Sequence, residues 1–184
     1  MKILTSHPAG LTLLEMMIAV SLFTVVMIIS TTMFLRAIDS QQRSVNSKEL
    51  QESLSYALAY MSNEASGVVQ DPTSCNVACI DSTAFFCSFS SNTKLTYRNA
   101  SSQCITYEIE NDGAIPRLKV TRAAESDYIT PSTIRMTSLV FYVGNTDDAT
   151  YPIGVATMAL TGQTLNGKDF PDSLRLQTTV ANWP

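Results

Sequence analysis

Apolar residues fill the chain from position 11 to position 35, and Glu15 is the only charge among these 25 residues. That run is long enough to cross a bilayer as a helix, which takes roughly 20 residues. Beyond Arg36 the apolar positions thin to Ile38, Val45, Leu50, Leu54, Leu58, Met61, Ala65 and Val68. From Leu50 onward they recur every three or four residues, the period of a helix with one buried face. The same pattern assigns Glu49, Glu52, Asn63 and Glu64 to other faces. No Pro interrupts the chain between 11 and 71, and the first Gly after 10 is Gly67. The pattern therefore predicts one helix over residues 11–69, apolar all round in its first half and amphipathic in its second.

Gly67 and the Asp71-Pro72 pair end that helix. A cysteine-bearing loop follows over 71–82. The period then changes from helical to alternating. Runs at 84–89, 94–98, 104–110, 116–122, 138–144, 154–161 and 173–181 each read as a strand bounded by turn residues. Asn111-Asp112-Gly113 predicts a hairpin turn, and 145–148 and 166–169 predict loops. Seven strands after one long helix give an α+β fold with an antiparallel sheet. The stripe from Leu50 to Val68 is the expected cover for the sheet's apolar face.

Glu15 is the anomaly. A carboxylate near the centre of a span costs about 2.5–3.5 kcal/mol, and a charge kept there usually has a partner and a task. It closes the sequence Gly10-Leu11-Thr12-Leu13-Leu14-Glu15. These six residues resemble the processing site of type IV prepilins and type II secretion pseudopilins, in which Gly and an apolar residue precede Thr-Leu-(Ile/Leu)-Glu.

The resemblance implies cleavage between Gly10 and Leu11 by a membrane prepilin peptidase. The same enzyme would act as N-methyltransferase on the new amine of Leu11. Glu15 would neutralise the amine of a neighbouring subunit during assembly. Two charges that meet in low dielectric remove much of each other's desolvation penalty. Other pilin or pseudopilin subunits, an inner-membrane assembly platform and membrane lipid are the implied partners. The implied organisation is a leader at 1–10, a transmembrane and filament-core helix at 11–35, an amphipathic continuation at 36–70 and a β-rich head at 71–184. The implied location is a single-pass inner-membrane protein with an extracytoplasmic head, then a filament at the cell surface or in the periplasm.

Two features depart from the family pattern. The leader holds one fixed cation, Lys2, with His7 nearer the cut. Thr32 stands where major pilins usually carry a Pro, which points to a minor subunit. The competing reading is an uncleaved single-span protein with a binding or adhesion head. A secretory signal peptide fits less well, because its apolar core runs 7–15 residues before small residues at the cut.

Composition narrows the head's chemistry. The net charge is −4, and loss of Lys2 with the leader would make it −5. The pI of about 4.9 argues against general nucleic-acid binding. Arg117, Lys119 and Arg122 form only a small basic group, expected on one strand face. Binding of DNA or a surface is left open.

Cys75, Cys79, Cys87 and Cys104 all follow the apolar run, and an even count there fits an oxidising compartment with two disulfides. Three connectivities are possible. The expectation is Cys75–Cys79 closing a small loop and Cys87–Cys104 joining two strands. A four-cysteine zinc site is the alternative, but its usual paired C-x2-C spacing is missing. The only histidine, His7, lies in the leader. The processed chain would then lack Ser-His and Cys-His pairs and histidine metal ligands. Glu108 with Glu110 and Asp147 with Asp148 are the carboxylate pairs. The first is expected to be solvated, and the second lacks the spaced ligands of a calcium loop. No enzyme activity, cofactor or metal is expected.

Overall fold

The computed structural model describes residues 12–75, 79, 84–123, 125–145, 153–165 and 173–182. Its two compact units are Met1–Gln42 and Arg43–Pro184. A single helix, α1 (Leu13–Ala65), contributes to both. In the first unit the described residues are helical beyond Thr12, and nearly all side chains are exposed.

The second unit is built on the predicted stripe. Leu50, Leu54, Ala57, Leu58, Met61 and Ala65 are buried on one face of α1. Each of the leucines and Met61 gains about 1.5–3 kcal/mol by leaving water. Two antiparallel sheets share this core. The first contains β1 (Val68–Val69), β2 (Phe86–Phe89), β3 (Lys94–Asn99), β4 (Cys104–Asp112), β5 (Ile115–Arg122) and β6 (Glu125–Tyr128). Its order is β1-β3-β4-β5-β6, and β2 pairs with β3 beside β1. The second sheet has the order β7-β8-β9, with β7 (Ile134–Asn145), β8 (Gly154–Thr164) and β9 (Ser173–Asn182). Leu95, Tyr97, Ile105, Tyr107, Leu118 and Val120 of the first sheet meet Leu139, Phe141, Met158 and Leu160 of the second in one apolar cluster with the helix. Gly162 permits the close approach of α1. A Cβ there would lie 3.2 Å from Leu54 Cδ2 and 3.3 Å from Leu50 Cδ1.

The α+β class and all seven expected strands are present. The helix stops four residues early. Gly67 breaks it, and Val68 and Val69 pair with Asn99 and Arg98 as β1. β6 was not expected, because Glu125-Ser126-Asp127-Tyr128 has no apolar alternation; it is held only as the neighbour of β5. The β4–β5 turn falls one residue later than read, with Asp112 opposite Ile115 and Gly113 at φ +65. The loops expected at 145–148 and 166–169 fall almost wholly outside the described residues.

The β2–β3 connection is unusual. Ser90, Ser91 and Asn92 have φ of 53, 59 and 64, three left-handed non-glycine residues in a row. Each such residue costs about 1–2 kcal/mol. The loop is held by Thr93 Oγ1 donating to Ser90 O at 2.6 Å and Ser88 Oγ donating to Asn92 Oδ1 at 3.0 Å. Asn92 O in turn accepts the Phe141 N–H at 2.8 Å, tying this turn to β7.

Glu64 corrects the face assignment made from periodicity. Its carboxylate reaches the edge of the core, where Arg122 Nε donates to Oε1 at 2.7 Å and the Tyr107 hydroxyl donates to Oε2. Arg122 also donates to the Tyr60 hydroxyl. Arg122 therefore lies on the helix-facing side of β5, apart from Arg117 and Lys119. Those two face the other way and have acidic partners, Asp112 at 2.5 Å and Glu110 at 2.5 Å. Glu108 pairs with Lys94, so neither member of the Glu108/Glu110 pair is simply solvated. The hydrogen bond to Glu110 raises the Lys119 pKa, and that to Glu64 raises the Arg122 pKa.

Burial raises the Tyr97 and Tyr107 phenols far above their ordinary range, and the Glu64 charge adds to the shift in both. Below about pH 10 folded and unfolded chains keep these protons alike, so stability is unaffected. Above it the unfolded chain releases protons that the folded chain holds, so stability falls as pH rises. The unfolding free energy should be flat to about pH 9 and decline beyond pH 10. Tyr107→Phe should flatten that decline in denaturant titrations at each pH.

The disulfides are Cys75–Cys104 and Cys79–Cys87, with Cα–Cα distances of 5.3 and 5.8 Å. The expected Cys75–Cys79 and Cys87–Cys104 pairing is therefore wrong. Its error is topological: β3 lies between β2 and β4, with Thr96 opposite both Cys87 and Thr106. Two strand spacings are about 9.5 Å, too far for a bridge. Cys75–Cys104 spans 29 residues and Cys79–Cys87 spans 8. Loop entropy gives the longer bridge about 3–4 kcal/mol. Replacing Cys75 and Cys104 by Ser should lower the denaturation midpoint more than the same change at Cys79 and Cys87.

Candidate functional site: the head of the N-terminal helix

The first turn of α1 is organised by Thr12. Its carbonyl accepts the N–H groups of Glu15 and Met16 at 3.1 and 3.2 Å. Its hydroxyl accepts the Glu15 N–H at 3.3 Å. Thr12 is thus the N-cap and Glu15 occupies the third helical position, the Thr-x-x-Glu spacing of a capping box. A carboxylate in the first turn also complements the positive end of the helix dipole. The sequence reading gave Glu15 an assembly role and gave Thr12 none. The spacing of the two residues was the signal that identifies the cap.

From Leu13 the helix is apolar on every side. Leu13, Met16, Val20, Phe23, Met27 and Phe34 are among the large side chains it exposes. Four of its hydroxyls bond back to the helix. Ser21 Oγ donates to Ile18 O, Thr24 Oγ1 to Ser21 O and Thr31 Oγ1 to Met27 O, at 2.8–2.9 Å. Thr32, at the position where the family's major subunits usually carry Pro, donates to Ile29 O at 2.8 Å. Every hydroxyl bonded this way can enter hydrocarbon without an unmet donor. Residues 13–35 rise about 35 Å at 1.5 Å per residue, enough for a hydrocarbon core of about 30 Å. The helix is long and apolar enough to cross a membrane.

Gly10 and Leu11, the expected cleavage and methylation positions, lie outside the described residues, as do Lys2 and His7. So do Asp147 and Asp148. Among the described residues no group of three or more His, Cys, Asp or Glu is placed to hold a metal ion. All four cysteines are in disulfides, which leaves no thiolate for zinc.

Residues 6–31 match the prokaryotic N-terminal methylation motif, the type IV prepilin-type leader signature. The match takes in Gly10, Leu11, Thr12 and Glu15 and most of the apolar run. No curated protein and no solved structure matches the chain. A long N-terminal helix packed on antiparallel sheets is a pilin-like layout. Together with the motif, this layout supports a type IV pilin-like precursor with a hydrophobic N-terminal helix. The motif implies processing by prepilin peptidase and assembly with other pilin subunits.

The cap has a measurable consequence. Thr12→Ala removes the hydroxyl acceptor and should weaken the first turn by about 1 kcal/mol. Amide exchange of the protein in lipid nanodiscs should then quicken about five-fold at Glu15 and stay unchanged beyond Val20.

Proposed function

We propose that this protein is a minor pilin of a type IV pilus or a pseudopilin of a type II secretion filament. The observation that carries this reading is the methylation motif set directly on a membrane-length helix whose one charge lies in the first turn. Cleavage after Gly10 would leave Leu11 as the N-methylated first residue, immediately before the Thr12 cap. Residues 11–35 would hold the subunit in the inner membrane, head outside, until the assembly platform draws it into a filament.

Within lipid, association of the helices gains little from the hydrophobic effect, because the tails are as apolar as the side chains. Close packing and hydrogen bonds must drive it. A pairing of Glu15 with the amine of a neighbouring Leu11 would supply the one strong polar contact there. The Thr at position 32 supports a minor over a major subunit. The disulfide-bonded head would serve as a structural and contact module rather than as an enzyme.

The test is Glu15→Ala in the native host. Leader removal should continue, and the amount of this protein in sheared filaments should fall about ten-fold or more. Unchanged filament content would refute the assembly role of Glu15.

A further inference from the structure

The first sheet and strand β7 line an open pocket of about 260 Å³. Its walls come from both sheets. The Lys94–Glu108 ion pair stands on one side, and Thr137 and Ser138 of β7 on the other. Ile109, Leu139 and Val140 supply apolar lining.

Two backbone irregularities meet at this place. The left-handed turn Ser90-Ser91-Asn92 leads directly into Thr93 and Lys94 of the wall. The β7–β8 register shifts between Met136 and Ser138, so Thr137 is the extra residue of a bulge that also lines the cavity. Strained backbone and bulges persist where they aim groups at a site.

The lining selects a ligand class. Lys94 and Glu108 neutralise each other, so a charged ligand would have to break their pair. A purely apolar one would strip water from both charges with nothing in return. A vicinal diol satisfies both, with one hydroxyl donating to the carboxylate and the next accepting from the ammonium. The side chains are within reach, at 38% exposure for Lys94 and 19% for Glu108. The C–H face of a sugar ring suits the apolar lining. The volume lies just below the 300–1,000 Å³ usual for drug-sized ligands, which limits the occupant to about one ring.

We propose that this cavity binds a single neutral monosaccharide unit. The inference depends on the head alone and stands or falls independently of filament assembly. The test is saturation-transfer NMR on the full chain in phosphatidylcholine nanodiscs, which carry no sugar detergent. The probes are glucose, galactose, mannose and N-acetylglucosamine. At least one should bind with a dissociation constant on the order of 1 mM, as a single shallow site allows. Lys94→Met with Glu108→Leu should weaken it at least ten-fold with the thermal midpoint held within a few degrees. Lys119→Ala, which alters a neighbouring ion pair outside the cavity, should bind as the parent does. No signal from any of the four sugars overturns the proposal. So does undiminished binding by the folded double variant. If the double variant unfolds, Ser138→Tyr replaces it, and undiminished binding in that variant overturns the proposal equally.

Discussion

A backbone that leaves water has to close its own hydrogen bonds, and the N-terminal helix is built around that constraint. Between Thr12 and Ala65 the chain offers no Pro to remove a donor and no Gly to loosen a turn. Thr12 answers the amide of Glu15 at the open end. Ser21, Thr24, Thr31 and Thr32 turn their hydroxyls back onto carbonyls within the helix. What remains on the surface of residues 13–35 is mostly hydrocarbon, with the Ser30 hydroxyl and one carboxylate. Lipid can solvate the hydrocarbon. The carboxylate needs a cation, and the apolar run carries none of its own.

The head solves the opposite problem in water. Its core is a helix stripe pressed on two sheets, and several polar groups at its margin are paired. Glu64 is one of these. Its carboxylate, Arg122 and Tyr107 form one network at the margin of the apolar cluster, so the helix is fixed to β4 and β5 in both position and rotation. Both charged side chains keep part of their surface in water, so the network orients the helix more than it stabilises it. The Cys75–Cys104 bridge adds a covalent tie from the chain just beyond the helix to the start of β4. The first sheet is thus tied to the helix by burial and by charge, and to the chain just beyond the helix by sulfur.

Much of this was legible in the residues. Periodicity located the stripe, the change from apolar to amphipathic helix and seven strands, because each depends on side-chain spacing alone. Thr-Leu-Leu-Glu after Gly10 pointed to the methylation motif before any coordinates. The misses share a cause. Glu64 and Arg122 look like surface residues until β5 packs beside the helix. β6 has no apolar pattern and exists through backbone pairing with β5. The disulfides depend on which strands are neighbours, and nothing local says that β3 separates Cys87 from Cys104. The cavity beside Lys94 and Glu108 was equally hidden, since its two walls come from strands about 40 residues apart. Only the Thr12 cap was present in the sequence as a spacing and left unread.

The central claim is that this chain is a processed filament subunit. Intact mass with N-terminal sequencing of the protein from its native membrane tests it most directly. The account predicts a chain beginning at N-methylated Leu11. A chain beginning at Met1 in cells with an active prepilin peptidase would contradict it and leave an uncleaved membrane-anchored protein in its place.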